Sequence, residues 1–213
     1  MPVLRPFCLA AFLSALPASA VAQDIKPLPG AEPAAPPAPA EAPAAAAKPA
    51  ADPFAAIPPA RTEDVRSVEA IVAALYDVIS GDAGVKRDWN RFRSLFYPGA
   101  RMIPTRLDAK TGATVALIAT PEIYIRNNQE FLEGEGFHEQ ELHRHVDRFG
   151  NMAQVFSVYQ ARNKLSDEKP LVRGINSIQL LNDGKRWWVM TVAWHPETAD
   201  NPLPAEYLKK VER

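Results

Sequence analysis

The residues most able to do chemistry lie in one short segment, GFHEQELHRHVDRFG, residues 136–150. It contains three of the four histidines of the chain, and His143 and His145 follow Glu139 and Glu141 at two-residue spacing. In an extended strand this spacing places all four side chains on one face. Such a face suits a divalent metal site, an acid/base pair, or the outer surface of a sheet.

Strand alternation and a turn at Gly150–Asn151 predict how this segment pairs in a hairpin. The predicted cross-strand pairs are His145 with Phe156, His143 with Val158, Glu141 with Gln160, Glu139 with Arg162, and Leu142 with Tyr159. The face opposite His143 and His145 carries apolar residues, among them Leu142, Val146 and Val155, so we expect the face of His143 and His145 to be the convex side of the sheet. We expect no metal there, because no Glu follows His145 at the spacing of a cupin metal motif and a second such motif is missing. Arg144 and Arg148 on the other face also disfavour a cation. The same face could instead form a homodimer interface.

The N-terminal part of the chain has the pattern of an export signal. Arg5 precedes the apolar run FCLAAFLSAL, and small residues lead to a cleavage site after Ala22. The only cysteine, Cys8, lies inside this signal, so the mature chain is expected to have no thiol. The sequence predicts a periplasmic or secreted protein with a signal peptide at 1–22, a disordered Pro/Ala-rich linker at 23–60 and one domain at 61–213.

Charge composition argues against several classes of partner. The chain has 24 Lys plus Arg against 25 Asp plus Glu, a formal net charge of −1, and no basic stripe. We therefore expect no nucleic-acid partner. After the signal, no stretch approaches the ~18 apolar residues that a membrane span needs, so we expect no integral membrane segment. The sequence has no Gly-rich phosphate loop and no nucleophile elbow, and we expect no cofactor.

Hydrophobic periodicity in the domain predicts helices first and strands afterwards. RTEDVRSVEAIVAALYDVISG predicts one amphipathic helix, DWNRFRSLF a short second helix, and RLDAKTGATVALI a hairpin. TPEIYIRNNQEFLEG predicts a third helix with Thr120 as N-cap and Pro121 at its first position. Four strands follow, at 137–149, 152–163, 172–182 and 186–195.

This order of elements resembles the nuclear transport factor 2-like superfamily, which includes SnoaL-like cyclases and ketosteroid isomerases. The resemblance covers residues 64–195 and rests on the first helix with Tyr76 and on the segments DWNRFRSLFYPGARM, FGNMAQVFSVYQAR and GINSIQLLNDGKRWWVMTVAW. It implies an α+β, cone-shaped fold of the cystatin-like type, with helices packed on a strongly curved, mainly antiparallel sheet. The chain is identified as an exported bacterial member of this superfamily.

The resemblance also implies where a site would lie. Enzymes of this fold line the mouth between helices and sheet with a tyrosine, a histidine and carboxylates, which here suggests Tyr76, His143 and Glu141 as catalytic residues. The isomerases carry their base on the strand after the second helix, where this chain has no acid. The expected ligand-binding residues are Tyr159, Asn176, Gln179, Arg162 and Glu139.

Two functions remain open from the sequence. One is binding of a small organic ligand in the cavity, or of a protein partner, by an exported domain that is expected to be a homodimer. The other is a cofactor-free lyase, isomerase or cyclase that uses a His/carboxylate pair with the pocket tyrosine.

Overall fold

A computed structural model describes residues 52–108 and 110–208 of the chain, apart from the side chain of Leu208. The signal peptide and most of the predicted linker lie outside the described residues. The helices are α1 Thr62–Val65, α2 Val68–Ile79, α3 Trp89–Ser94, α4 Pro121–Glu135 and a 3-10 turn at Ala205–Leu208. The strands are β1 Phe96–Leu107, β2 Thr114–Ala116, β3 His138–Phe149, β4 Met152–Arg162, β5 Val172–Asn182 and β6 Trp187–Pro196.

The first predicted helix is divided in two by Ser67. This residue has extended backbone angles, and its Oγ accepts a hydrogen bond from the Ala70 amide at 3.1 Å. A serine in this position caps a new helix and ends the preceding turn, so the prediction of one continuous helix was wrong at this point. The other helices begin as predicted, and Thr120 Oγ1 accepts from the Ile123 amide at the start of α4.

Six strands form one sheet in the order β2-β1-β6-β5-β4-β3. β1 pairs with β6 in parallel, and the other neighbours are antiparallel, so the sheet is mixed but mainly antiparallel as expected. Register shifts interrupt the pairs β1/β6, β3/β4 and β5/β6. Irregularities of this kind bend strands and increase twist, which fits a sheet that curves around its helices.

The core lies between α2, α3 and the concave face of the sheet. Its fully buried side chains come from both layers and include Ile71, Val72, Phe92, Leu95, Val155, Ile178 and Val189. On β4, alternate residues from Ala153 to Ala161 are buried and face this core. The helices therefore pack on the face that carries the apolar residues of the hairpin, as the sequence predicted.

Ordered contacts begin before the predicted start of the domain. The ring of Phe54, inside the predicted linker, packs against Tyr97 and Trp188 with centroids 5.2 Å and 5.6 Å apart. Within the part of the chain that the structure describes, no helix is long and apolar enough to span a membrane.

Candidate functional site

A β-bulge at Leu142 decides which side chains of β3 face the core. His145 pairs with Phe156 and His143 with Val158, as predicted, but the next pairs are Glu141 with Tyr159 and Glu139 with Ala161. Leu142 has no partner and is the extra residue. The predicted pairing of these two glutamates was therefore wrong, because one unpaired residue moves every side chain before it to the opposite face.

The glutamates before the bulge and the histidines after it consequently lie on different faces of the sheet. Glu139 and Glu141 share the concave face with Tyr159, whereas His143 lies on the convex face, where its ring is 6.2 Å from that of Tyr207. His143 and Glu141 thus do not form a pair over the cavity, and the same separation removes the metal set of two histidines with Glu141. Among residues 52–108 and 110–208, no group of three His, Cys, Asp or Glu side chains is placed to hold a metal.

A cavity of about 360 Å³ lies between the helices and the concave face. Most of its wall is apolar or aromatic, and it is formed by α2, α3, α4 and the five strands β1, β3, β4, β5 and β6. The apolar lining includes Leu75, Ile79, Phe92, Met102, Phe131, Phe137, Ile178, Val192 and Trp194. Only two charged residues of the described chain line this cavity, Arg106 and Glu139. The second is surrounded by the polar groups described next.

Glu139 is fixed at the end of α2. The Oγ of Ser80, the residue after this helix, accepts a hydrogen bond from the Glu139 amide at 3.0 Å and donates to the Tyr76 carbonyl at 2.7 Å. The Glu139 side chain then accepts through Oε1 a hydrogen bond from Asn176 Nδ2 at 3.2 Å. Burial raises the pKa of Glu139 from its usual 4.5 to about 7, and the Asn176 hydrogen bond opposes this rise.

Tyr76 joins this carboxyl to a second acid through Ser157. The Tyr76 hydroxyl lies 2.7 Å from Ser157 Oγ and accepts from Asn176 Nδ2 at 3.1 Å. Ser157 Oγ donates to Glu141 Oε1 at 2.5 Å, and Glu141 is also paired with the Arg144 guanidinium. Burial raises the pKa of Tyr76, so this phenol stays neutral and acts as a hydrogen-bond donor.

Two further phenols face the cavity. Tyr124 on α4 and Tyr159 on β4 line it, and neither hydroxyl forms a hydrogen bond with another described residue. Burial raises the pKa of both tyrosines, and the nearby charge of Glu139 adds to the rise. These neutral hydroxyls beside a carboxyl are donors available to a bound molecule.

The remaining predicted binding residues lie away from this cavity. Gln179 is exposed and pairs with Gln154 and Thr191 on the convex side, because its neighbours Ile178 and Leu180 take the buried positions. Arg162 is held outside by its Nε–H, which donates to the Asp167 carbonyl at 2.9 Å. The cavity therefore brings together Glu139, Tyr159, Asn176 and Tyr76 from the predicted set, and Glu141 is linked to Tyr76 through Ser157.

Sequence reasoning missed Tyr124 and Ser157 as parts of this site. Tyr124, Asn128, Phe131 and Leu132 recur at helical spacing on α4 and all line the cavity, so periodicity marked that face. Ser157 gave no such signal, because a buried serine on a strand is recognisable only when its partners are known.

No protein-family model matches the chain, and no curated protein matches it in sequence. Similar solved structures include a protein of unknown function with a cystatin-like fold from Nostoc punctiforme, 9% identical, covering 62% of this chain and 90% of that chain at a TM-score of 0.47. An NTF-2-like protein of unknown function from Silicibacter pomeroyi is 12% identical and covers 62% and 94%, with a TM-score of 0.44. The hexachlorocyclohexane dehydrochlorinase LinA-type3 from Novosphingobium barchaimii is 10% identical and covers 62% and 86%, with a TM-score of 0.45.

With TM-scores below 0.5, these likenesses carry no argument about this chain. Three features of the described chain agree with the architecture expected from the sequence: the order of helices and strands, the curved and mainly antiparallel sheet, and the cavity between its concave face and the helices. The domain therefore has an α+β fold in which helices pack on one face of a curved, mainly antiparallel sheet.

Proposed function

We propose that the cavity binds a small organic molecule with an apolar body and one carbonyl or hydroxyl group. The observation that carries this proposal is a polar cluster in a mostly apolar wall, formed by Glu139, Asn176 and the phenols of Tyr124 and Tyr159. A cavity of about 360 Å³ lies within the range of known small-molecule sites. Aromatic walls favour a flat or ring-containing body.

The polar cluster favours a ligand oxygen over a ligand cation. Tyr124 and Tyr159 offer hydroxyl donors, and Glu139 offers an oxygen, Oε2, that forms no hydrogen bond with a described residue. A ligand carbonyl would accept from a phenol, and a ligand hydroxyl would donate to Glu139. Either contact satisfies groups that a purely apolar ligand would leave buried without partners, which costs about 1–3 kcal/mol for each group.

The same cluster supports a second candidate function, cofactor-free proton transfer next to a carbonyl group. A carboxyl with a pKa of about 7 is half ionised at neutral pH and can both take and return a proton. A C–H bond beside the carbonyl would break, the proton would pass to Glu139, and the electron pair would form an enolate whose oxygen accepts from Tyr124 or Tyr159. Return of the proton to another carbon gives an isomerase, and loss of a leaving group gives a lyase.

Binding can be tested with the solvatochromic naphthyl ketone prodan and the full chain. We expect its emission to shift to the blue and gain intensity on binding, because the dye leaves water for an apolar cavity. The variant Leu75→Trp fills the cavity, and the matched control Val85→Trp adds the same side chain at an exposed loop position. Loss of binding in the first variant alone supports the proposal, and equal binding by both variants excludes this cavity.

Proton transfer can be tested with the same dye. In heavy water, proton NMR reports exchange of the hydrogens beside the prodan carbonyl, and we expect the protein to accelerate it. Glu139→Gln should reduce this acceleration by about 100-fold, the low end of general acid/base contributions, whereas Glu168→Gln on an exposed loop should leave it unchanged. Binding without any acceleration in the wild-type protein would leave the ligand proposal standing and remove the enzymatic one.

Export and self-association remain proposals that rest on the sequence. N-terminal sequencing of protein from the cell envelope tests cleavage after Ala22. Sedimentation of the purified chain tests the homodimer. Within the chain, one contact competes with the proposed dimer interface. The ring of Tyr207 covers Phe156 on the convex face with centroids 5.6 Å apart, so the chain's own C-terminal segment occupies part of the proposed interface.

A further inference from the structure

One chain of hydrogen bonds crosses the wall between the cavity and an outer groove. It runs from Arg144 through Glu141, Ser157 and Tyr76 to Asn176, which donates to Glu139. The groove lies between α2 and the first half of β3, and Glu141 and Arg144 line it. Tyr76 and Glu139 line both the groove and the cavity. A substitution at Glu141, at the groove end of this chain, can therefore affect the carboxyl of Glu139 in the cavity through these hydrogen bonds.

The carboxylate of Glu141 fixes the direction of every bond in this chain. It only accepts, so the Ser157 hydroxyl must donate to it. Ser157 has one hydrogen, and its oxygen therefore accepts from the Tyr76 hydroxyl at 2.7 Å. Tyr76 has then used its own hydrogen and must accept from Asn176, which turns the amide nitrogen toward both Tyr76 and Glu139.

We propose that Glu141 and Ser157 are positioning residues that act through Tyr76 and Asn176 to lower the proton affinity of Glu139. This inference rests on the proposed role of Glu139 as the group that exchanges a proton with the ligand. The amide nitrogen of Asn176 stabilises the ionised form of Glu139, because a donor favours a carboxylate. If the chain reversed, the Asn176 amide would turn its oxygen toward Glu139 and favour the protonated form instead.

Direct electrostatics predicts the opposite effect for the same substitution, which makes the proposal testable. Glu141→Gln removes a negative charge near Glu139, and this alone would lower the proton affinity of Glu139. The substitution also introduces an amide that can donate to Ser157, which frees the Ser157 hydrogen for Tyr76 and lets the chain reverse. The positioning role therefore predicts a rise in the pKa of Glu139, and simple charge removal predicts a fall.

Other charged and titratable groups line the cavity or the groove beside Glu139. They are Tyr76 and Asp77 on α2, Tyr124 on α4, Tyr159 on β4, His138 and Arg144 on β3, and Arg106 on β1. None of them is changed by the substitutions Glu141→Gln or Ser157→Ala. His138 is paired with Asp82 at 2.9 Å on the groove side, so a His138→Gln variant serves as a control for this ion pair.

The test is a carbon-13 NMR titration of glutamate carboxyl groups in the full chain, with the Glu139 signal assigned by Glu139→Gln. Loss of one hydrogen bond worth about 1 kcal/mol corresponds to a rise of about 0.7 pH units in the Glu139 midpoint. We expect such a rise in Glu141→Gln and in Ser157→Ala, which keeps the charge of Glu141 but breaks the chain. The control Asp147→Asn removes an exposed carboxylate from the convex face of the same strand and should leave the midpoint unchanged.

A midpoint that stays constant or falls in either Glu141→Gln or Ser157→Ala would overturn the positioning role. The titration needs no ligand, so this result is independent of whether prodan binds or exchanges. Conversely, a rise in both variants would support the hydrogen-bond chain even if the proposed ligand class proved wrong. A circular dichroism spectrum equal to that of the wild type shows that each variant is folded before its midpoint is compared.

Discussion

The buried carboxyl of Glu139 should make the stability of the protein fall between about pH 4.5 and pH 7. Its pKa is about 7 in the folded chain against a usual 4.5, so the folded state holds this proton where the unfolded state has lost it. Stability falls with pH wherever the folded state binds more protons. The stability that depends on protonated Glu139 is fully present below pH 4.5, decreases between pH 4.5 and pH 7, and is lost above pH 7. At about 1.4 kcal/mol per pH unit, the loss amounts to about 3 kcal/mol.

Glu139→Gln removes this dependence because glutamine is neutral at every pH and can still accept from Asn176. We expect the variant to resemble the wild type at pH 4.5 and to be more stable by about 3 kcal/mol at pH 8. Urea unfolding of both full-length proteins at intervals from pH 4.5 to pH 8.5, followed by tryptophan fluorescence, gives the free energy of unfolding for each. The difference between the two curves isolates Glu139 from the other acids of the chain.

The matched control is Glu168→Gln, which removes a carboxylate from the exposed loop between β4 and β5. Its curve should run parallel to that of the wild type. If the difference between wild type and Glu139→Gln were constant from pH 4.5 to pH 8.5, Glu139 would titrate equally in the folded and unfolded states. Glu139 would then not be an acid/base group that titrates near neutral pH in the cavity.

Three further changes test how the fold positions this site. Deleting Leu142 should remove the bulge and leave Glu139 paired with Ala161 on the concave face, so the fall in stability between pH 4.5 and 7 should persist. If the deletion moved Glu139 to the convex face instead, this fall would disappear. Arg91→Ala leaves Asp64 buried without its guanidinium and should cost about 3 kcal/mol in urea unfolding, whereas Arg93→Ala, in an exposed ion pair, should cost under about 1 kcal/mol. Gly136→Ala should cost about 2 kcal/mol or more by thermal unfolding, because φ is +77° and a Cβ would lie 2.7 Å from a backbone carbonyl.

Much of the fold follows from local signals in the sequence. The Thr120–Pro121 pair predicted the start of α4, and the turn at Gly150–Asn151 predicted the partners of His143 and His145. Both signals depend on a few neighbouring residues, so they can be recognised in the sequence without knowledge of the tertiary structure. Ser67 was the exception among the helices, because its capping geometry competed with a periodic pattern that runs across it.

The composition of the site could be predicted more fully than its arrangement. Tyr159 and Asn176, expected as ligand-binding residues, and Tyr76, expected from the resemblance, all line the cavity. The partners themselves come from elements far apart in sequence. The hydrogen bond between Tyr76 and Asn176 joins α2 to β5, and no local pattern encodes that approach.

The sequence by itself determined the strands, their hairpin turn and the set of polar residues available to the site. Only the tertiary structure decided that Glu139 and Glu141 lie on the concave face of the sheet while His143 lies on the convex face. Alternation along a strand predicts faces only as long as pairing stays regular, and one unpaired residue at Leu142 reverses the order. That bulge accompanies the bending of a sheet around its helices, a property of the whole domain that no single strand sequence reveals.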